Sequence, residues 1–144
     1  MRPIPKDEPT TGIEPGRTWL AAVVMSNLMF HLGDKYGDHY DILPSIDVSF
    51  PEQDFTIDLG VFPPREIDWL QDLLRVEPPF TAFEIVMPTE TLESLTDAIR
   101  QYYFPNGIKS AWVILPREKT IWLLHPGFSL MVRSMIPLAA LTWT

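Results

Sequence analysis

The sequence predicts an α/β fold in which helices pack against a mixed β-sheet. Segments with the alternating apolar pattern of β-strands are separated by segments in which apolar residues recur with the helical period. Two pairs of strand-like segments are joined by short polar loops that are typical of hairpins. The predicted order is α-β-β-α-β-α-β-β, followed by one more short strand. Strands separated by helices favour a single mixed sheet with helices against its faces.

The length and composition predict one domain with a short arm. The chain has 144 residues, of which 46% are hydrophobic, and its five Trp and eight Phe can fill a core. Four of the fifteen prolines lie in the first fifteen residues. We therefore expect an extended or disordered arm over residues 1–15 and a single domain over residues 16–144.

Composition also excludes several classes of protein. The chain has no cysteine, which excludes a disulfide scaffold, a zinc-thiolate site and a thiol nucleophile. Its first apolar segment is interrupted by Ser26 and Asn27 and is too short to span a bilayer. We expect a cytoplasmic protein that does not bind membranes. The net charge of −8 argues against tight DNA binding, although a local basic patch is compatible with that average.

The first half of the chain contains two predicted helices and one hairpin. A helix is predicted over residues 16–32, because apolar residues recur there at i, i+3 and i+4 spacing, and Gly33 is predicted to end it. Residues 40–50 and 54–64 are predicted to pair as a hairpin. A short helix is predicted over residues 65–75 from the leucines and isoleucine on one side of it.

The second half begins with a third predicted strand, over residues 80–87. Thr91 is predicted to cap the next helix, which ends at Gly107. A second hairpin is predicted over residues 110–126, with the polar turn PREK at its centre. The last predicted strand covers residues 130–133 and leads into an apolar end.

Two of the predicted strands carry an acid near the middle. Alternation places Phe55, Ile57, Leu59 and Val61 on one face of the second strand and Asp58 on the other. Glu84 has the same position in the stretch FTAFEIVM. An ionised carboxylate in an apolar interior costs several kcal/mol unless it has a partner. Each acid therefore requires a partner, a route to water or a proton.

The partner of these acids can be a metal ion or an arginine. Small residues two positions away, Gly60 and Ala82, leave room for a ligand, and hard cations such as Mg²⁺ prefer carboxylate oxygens. Alternatively the acids are unrelated, Asp58 lying at an exposed sheet edge and Glu84 pairing with Arg65, Arg75 or Arg100. Spacing alone leaves both interpretations open.

The segments DVSFPEQDFTIDLGVF and FEIVMPTETLESLTDAIRQYYFPNGIKSAWVILPREKTIWLL resemble the Uma-two family. That family has a restriction-endonuclease-like core of the PD-(D/E)XK nuclease class, in which an Asp and a Glu on successive strands bind Mg²⁺, with Mn²⁺ as a substitute. The resemblance spans about residues 16–124. It implies a bacterial, metal-dependent endonuclease whose mixed sheet is flanked by helices and whose substrate is DNA.

The resemblance also implies roles for individual residues. The two metal-binding acids of the family correspond to Asp58 and Glu84. Four other positions match the family pattern: Pro88, Tyr102 (the tyrosine of the helix), Gly107 and Trp112.

Departures from the family pattern concern catalysis. Ile57 stands where the family has a proline, and Val86 stands where it has a lysine, while relatives that move this lysine into the helix would place it near Ala98. Arg100 is the nearest cation in register, and a guanidinium can stabilise phosphate charge but cannot act as a base. An acidic N-terminal β segment is also expected to be missing. We therefore expect nuclease activity through Asp58, Glu84 and Arg100 to be weakened or absent.

A second hypothesis is a non-catalytic dimerising or protein-binding module on a degenerate nuclease fold. The apolar end, LMVRSMIPLAALTWT, either covers the core of the domain itself or forms a homodimer surface.

Overall fold

The computed structural model describes residues 1–6 and 17–133. In chain order the elements are β1 (Arg2–Ile4), α1 (Trp19–Tyr36), β2 (Asp41–Val48), β3 (Asp54–Phe62), β4 (Thr81–Ile85), α2 (Leu92–Ala98), β5 (Ser110–Leu115), β6 (Thr120–His125) and β7 (Phe128–Arg133). A π-helical turn over Ile99–Tyr103 and a 3-10 turn over Phe104–Asn106 extend α2. Both predicted hairpins and the predicted α/β class are confirmed.

The described strands form one seven-stranded mixed sheet in which β4 and β5 are parallel and the other pairs are antiparallel. β2 pairs with β3 along most of its length, so β1 and β4 share the other edge of β3. On that edge β1 pairs with residues 54–56 and β4 pairs with residues 59–61. Ile57 and Asp58 lie in the gap between the two short partners.

Helices cover both faces of the sheet, as the sequence predicts. On one face the buried residues of α1 pack against Leu59, Val61, Phe83, Ile85, Ile114 and Ile121. On the other face Leu95, Ile99 and Tyr103 pack against Ala82, Val113 and their neighbours. The sheet is thus a middle layer with a core on each side.

Helix α1 begins later and ends later than the sequence predicts. Its N-cap is Thr18, whose hydroxyl accepts a hydrogen bond from the Ala21 N–H at 3.2 Å. Gly33 does not end the helix, because its carbonyl accepts from the Gly37 N–H at 2.9 Å and continues the helical pattern. A glycine ends a helix when it takes the left-handed conformation, and Gly33 does not.

The predicted helix over residues 65–75 is wrong, because this segment is an irregular loop. The Asp68 carboxylate accepts from the Leu70 N–H at 3.0 Å, a local bond that competes with helix formation. Val76 is drawn to the sheet through its N–H, which donates to the Asp47 carbonyl at 3.0 Å. The apolar residues that suggested a buried helix face are exposed, Leu70 by 99%.

A short N-terminal strand, β1, is present, but it contains no acid, so it is not the acidic β segment of the family pattern. The rest of the predicted arm, residues 7–15, lies outside the described residues, as do residue 16 and the apolar end from residue 134. No helix in the described ranges is long and apolar enough to cross a membrane.

A buried acid at the start of β3, Asp54, ties distant segments together. Its carboxylate accepts from Lys6 Nζ at 2.8 Å and from the Phe50 N–H at 3.0 Å, and it pairs with Arg75. Burial acts to raise the pKa of Asp54, but these hydrogen bonds outweigh it and hold the pKa below its usual value. The cations near Asp54 and the Phe50 N–H therefore stabilise its ionised form.

Gly107 gives a testable prediction about the fold. It follows the 3-10 turn with a φ of 96°, a left-handed conformation that side chains disfavour. We expect Gly107→Ala to lower the free energy of unfolding by about 1–2 kcal/mol in urea titrations. Gly127→Ala is the control, since a Cβ there meets no atom within 4 Å and the backbone is not left-handed. Equal losses in the two variants would contradict the conformational argument.

Candidate metal site

The structure brings Asp58 and Glu84 together where β3 and β4 diverge. The paired ladder of the two strands ends at Leu59 and Phe83. Beyond it, the Asp58 N–H donates to Glu84 Oε1 at 3.3 Å, and the Ile85 N–H donates to Asp58 Oδ2 at 2.7 Å. Each carboxylate therefore takes the place of a backbone carbonyl, and each is held by the backbone of the other strand.

The β2–β3 pairing is also irregular at Asp58. The facing residue in β2 is Ser45, whose φ of 47° is unusual for a strand, and the regular register skips this pair. Phe55 and Ile57 pack in one core, whereas Leu59 and Val61 pack in the other. The prediction that these four residues share a face is therefore wrong, because the alternation changes at Asp58.

The remaining oxygens of the two acids point to one position. The α-ammonium nitrogen of Met1 lies 3.2 Å from Asp58 Oδ1 and 2.9 Å from Glu84 Oε2. The ammonium of Met1 is the charged partner of Glu84 Oε2, an oxygen that is completely buried. A third carboxylate, that of Glu90, lies 3.9 Å from the same nitrogen. A positive charge thus already occupies the place where the two acids converge.

Burial dominates the electrostatics of this cluster. Glu84 is completely buried, and burial raises its pKa to about 7 against the opposing effect of the ammonium, while the charge of Asp58 raises it further. Burial acts to lower the pKa of the Met1 amine, but attraction to Glu84, Asp58 and Glu90 outweighs it and raises that pKa to about 11. The amine therefore stays protonated at neutral pH.

Tyr103 fixes the other oxygen of Glu84. Its hydroxyl donates to Glu84 Oε1 at 3.1 Å, and its ring stacks on Phe50. Burial and the neighbouring Glu84 charge raise the pKa of Tyr103 well above its usual value, so the hydroxyl remains a donor. The tyrosine that matches the family pattern, Tyr102, packs instead against Phe55. The π-helical turn adds a residue to the register and brings Tyr103 to the acid.

Arg17 contacts Asp58, and the sequence interpretation did not include it. Its Nη2 lies 2.9 Å from Asp58 Oδ1 and 3.1 Å from Ser45 Oγ. One feature of the sequence could have indicated Arg17: it is the only Lys or Arg between Lys6 and Lys35, and it lies at the start of the predicted helix.

Arg100, the candidate that the sequence offered in place of the lysine, makes its contacts elsewhere in the described structure. Its Nη1 donates to the His125 carbonyl at 3.2 Å, and its guanidinium lies 5.8 Å from the ring centroid of Phe104. Val86, at the lysine position of the family, extends the pairing of β4 with β5 through its N–H, which donates to the Ile114 carbonyl at 2.9 Å.

A divalent cation fits the two-acid pair. Within the described ranges no group of three or more His, Cys, Asp or Glu side chains is arranged to hold a metal ion. Mg²⁺, however, is commonly bound through one or two carboxylates and keeps several waters. Asp58 Oδ1 and Glu84 Oε2 are the oxygens that would bind it, and the ion would take the place of the Met1 ammonium that both of them contact.

A cavity of about 460 Å³ leads to this position. Asp58 and Glu90 line it together with Met1, Arg2 and Arg17, whereas Glu84 is completely buried in the core. The cavity volume is in the range of ligand-binding sites, about 300–1,000 Å³. Ligands can therefore approach the pair from the Asp58 side.

The mixed sheet with helices against both of its faces defines a three-layer α/β fold. The chain is similar to the crystal structure of a presumed nuclease belonging to DUF820, the Uma-two family, from Anabaena variabilis. The TM-score is 0.70 at 18% identity, and the alignment covers 93% of this chain and 84% of the other. This likeness confirms the predicted fold class. No protein-family model and no curated protein matches the chain.

Proposed function

We propose that the chain is a metal-dependent endonuclease-like protein in which Asp58 and Glu84 bind Mg²⁺ or Mn²⁺ and which hydrolyses DNA phosphodiester bonds weakly. The observation that carries this proposal is the convergence of one oxygen from each acid on a single positive charge, at 3.2 and 2.9 Å. Similarity to a presumed nuclease supports the reaction class.

The residues of the chain would have distinct roles in this reaction. A bound divalent ion would supply a polarised water and stabilise phosphate charge. Asp58 and Glu84 would hold the ion, and the N–H of Ile85 and the hydroxyl of Tyr103 fix their orientation. Apolar Val86 provides no proton acceptor for an attacking water, which is why we propose weak turnover.

The protonation of Glu84 predicts how metal binding depends on pH. A carboxylic acid must lose its proton to bind a metal. Since the pKa of Glu84 is raised to about 7, the pair carries its full negative charge only above neutral pH. Metal affinity is therefore expected to increase as the pH rises through 7.

The test is calorimetric titration of Mg²⁺ and Mn²⁺ into the protein and into Asp58→Asn, combined with a plasmid-nicking assay. Asparagine keeps the shape of Asp58 and can still accept from the Ile85 N–H, so the fold is expected to survive. We expect metal affinity to fall at least tenfold, about 1.4 kcal/mol or more. Asp97→Asn, an exposed acid on α2, is the matched control. Absence of metal binding and of nicking in the unmodified protein would overturn the proposal.

The alternative is a non-catalytic dimerising or protein-binding module, and exposed apolar side chains favour it. Trp69 is 86% exposed in the loop after β3, and Phe128 and Leu130 are more than half exposed on the edge strand β7. Exposed apolar surface of this kind often marks a partner site. Sedimentation velocity over a range of concentrations would reveal a homodimer, and Leu130→Glu should then dissociate it. A monomer at all concentrations would exclude the dimer.

A further inference from the structure

Among the described residues, the guanidinium of Arg17 makes hydrogen bonds through one of its three nitrogens. Both of its polar contacts, to Asp58 Oδ1 and Ser45 Oγ, are made by the same nitrogen, Nη2. A guanidinium has five N–H donors, so Nη1 and Nε remain without a hydrogen bond to the described residues. The side chain is about one quarter exposed. Within the described ranges, Arg17 is thus held through one nitrogen of its guanidinium.

The surroundings of Arg17 suit a phosphate group. It lines the cavity of about 460 Å³ beside Asp58, and Arg2 and Thr18 line the same cavity. Other cations in the described structure pair elsewhere, Lys6 with Asp54 and Arg65 with Glu77. In a chain with a net charge of −8, three positively charged residues, Met1, Arg2 and Arg17, thus line one cavity beside the carboxylates of Asp58 and Glu90.

We propose that Arg17 binds a phosphate oxygen of a DNA strand whose phosphodiester lies at Asp58 and Glu84. This inference rests on the proposed function of the two acids and assigns to Arg17 the contact with the substrate. Arginine suits this role because its planar fork donates two parallel hydrogen bonds to a phosphate, and the ion pair with Asp58 fixes its orientation.

The alternative is a structural role, in which Arg17 only neutralises Asp58 and connects the start of α1 to β2 through Ser45. The two roles predict different effects on metal affinity. If Arg17 binds phosphate, its removal deletes a positive charge beside the carboxylates, and metal affinity stays the same or increases. If Arg17 only positions Asp58, its removal disorders the carboxylate, and metal affinity falls.

The experiment compares Arg17→Gln and Arg17→Lys with the unmodified protein. The binding of a fluorescein-labelled DNA duplex is measured by anisotropy in Ca²⁺, a hard cation with similar oxygen ligands, over a range of salt concentrations. We expect Arg17→Gln to weaken duplex binding about tenfold and to reduce the slope of log Kd against log salt by about one. Arg17→Lys should keep the slope because it keeps the charge. The metal affinity of each protein is also measured by titration without DNA, because the two roles of Arg17 predict different metal affinities.

The possible results distinguish failure of the Arg17 inference from failure of the proposed function. Arg65→Gln, which removes an exposed guanidinium paired with Glu77, is the control and should leave the duplex affinity unchanged. A fall in metal affinity for Arg17→Gln with an unchanged salt slope would show a structural role and overturn the inference. No duplex binding by the unmodified protein would also overturn it. Absence of metal binding in the unmodified protein would instead overturn the proposed function.

Discussion

Replacing Glu84 with glutamine is expected to remove most of the dependence of stability on pH between about 5 and 7. In the folded protein the pKa of Glu84 is about 7 against an ordinary value of 4.5, so between these values the folded state holds a proton that the unfolded state has lost. The free energy of unfolding therefore falls as the pH rises through this window, by about 3 kcal/mol in total. Glutamine imitates the protonated acid and has no proton to lose.

The measurement is urea denaturation at several pH values in buffer containing EDTA, for the unmodified protein and Glu84→Gln. The difference in unfolding free energy between them should change in favour of the variant as the pH rises, while Asp58 and Glu90 still attract the Met1 amine. The matched control is Glu77→Gln, since Glu77 is 85% exposed in a surface ion pair. Parallel curves for the protein and Glu84→Gln would show that burial does not perturb this acid.

Tyr103→Phe is expected to have the second largest effect on the free energy of unfolding. The variant removes the hydroxyl that donates to Glu84 Oε1 and leaves that oxygen with only the long bond from the Asp58 N–H, 3.3 Å. Losing a hydrogen bond to a buried acceptor costs about 1–3 kcal/mol. Since this bond also favours the ionised form of Glu84, its loss should raise the pKa of Glu84 and make the cost greater above pH 7 than below pH 5.

Tyr102→Phe provides the matched control for this prediction, because Tyr102 packs its ring against Phe55 and contributes its backbone carbonyl to Asn106. Chemical denaturation of the two variants at pH 5 and pH 8 makes the comparison. Equal losses at both positions, or a loss at Tyr103 that is independent of pH, would contradict a role for the hydroxyl at Glu84.

The parts of the fold that the sequence predicts well are those determined by local patterns. The Thr91 cap and the strand around Glu84 follow from neighbouring residues and are found as predicted. The segment over residues 65–75 has a helical apolar pattern but folds as a loop, because Asp68 bonds its own backbone and Val76 is drawn to β2. Periodicity does not record these competing hydrogen bonds.

The candidate site was partly accessible from the sequence. Alternation and the family resemblance single out Asp58 and Glu84, and the structure places them in contact through backbone N–H groups. Arg17 and Tyr103 were missed for different reasons. Arg17 meets Asp58 across 41 residues of chain, a distance that no local pattern spans. Tyr103 differs from its neighbour only through a π-helical turn, which shifts the register by one residue.

The hydrogen bonds that Asp58 and Glu84 accept give these two side chains a structural role that is independent of any metal. Where β3 and β4 diverge, their carboxylates satisfy the N–H groups of Ile85 and Asp58, which would otherwise be buried without a partner. An acceptor oxygen is therefore needed at both positions for the sheet to close at this point, whether or not the pair binds a cation. Alanine at either position would remove that acceptor together with the charge, whereas Asn and Gln remove the charge alone.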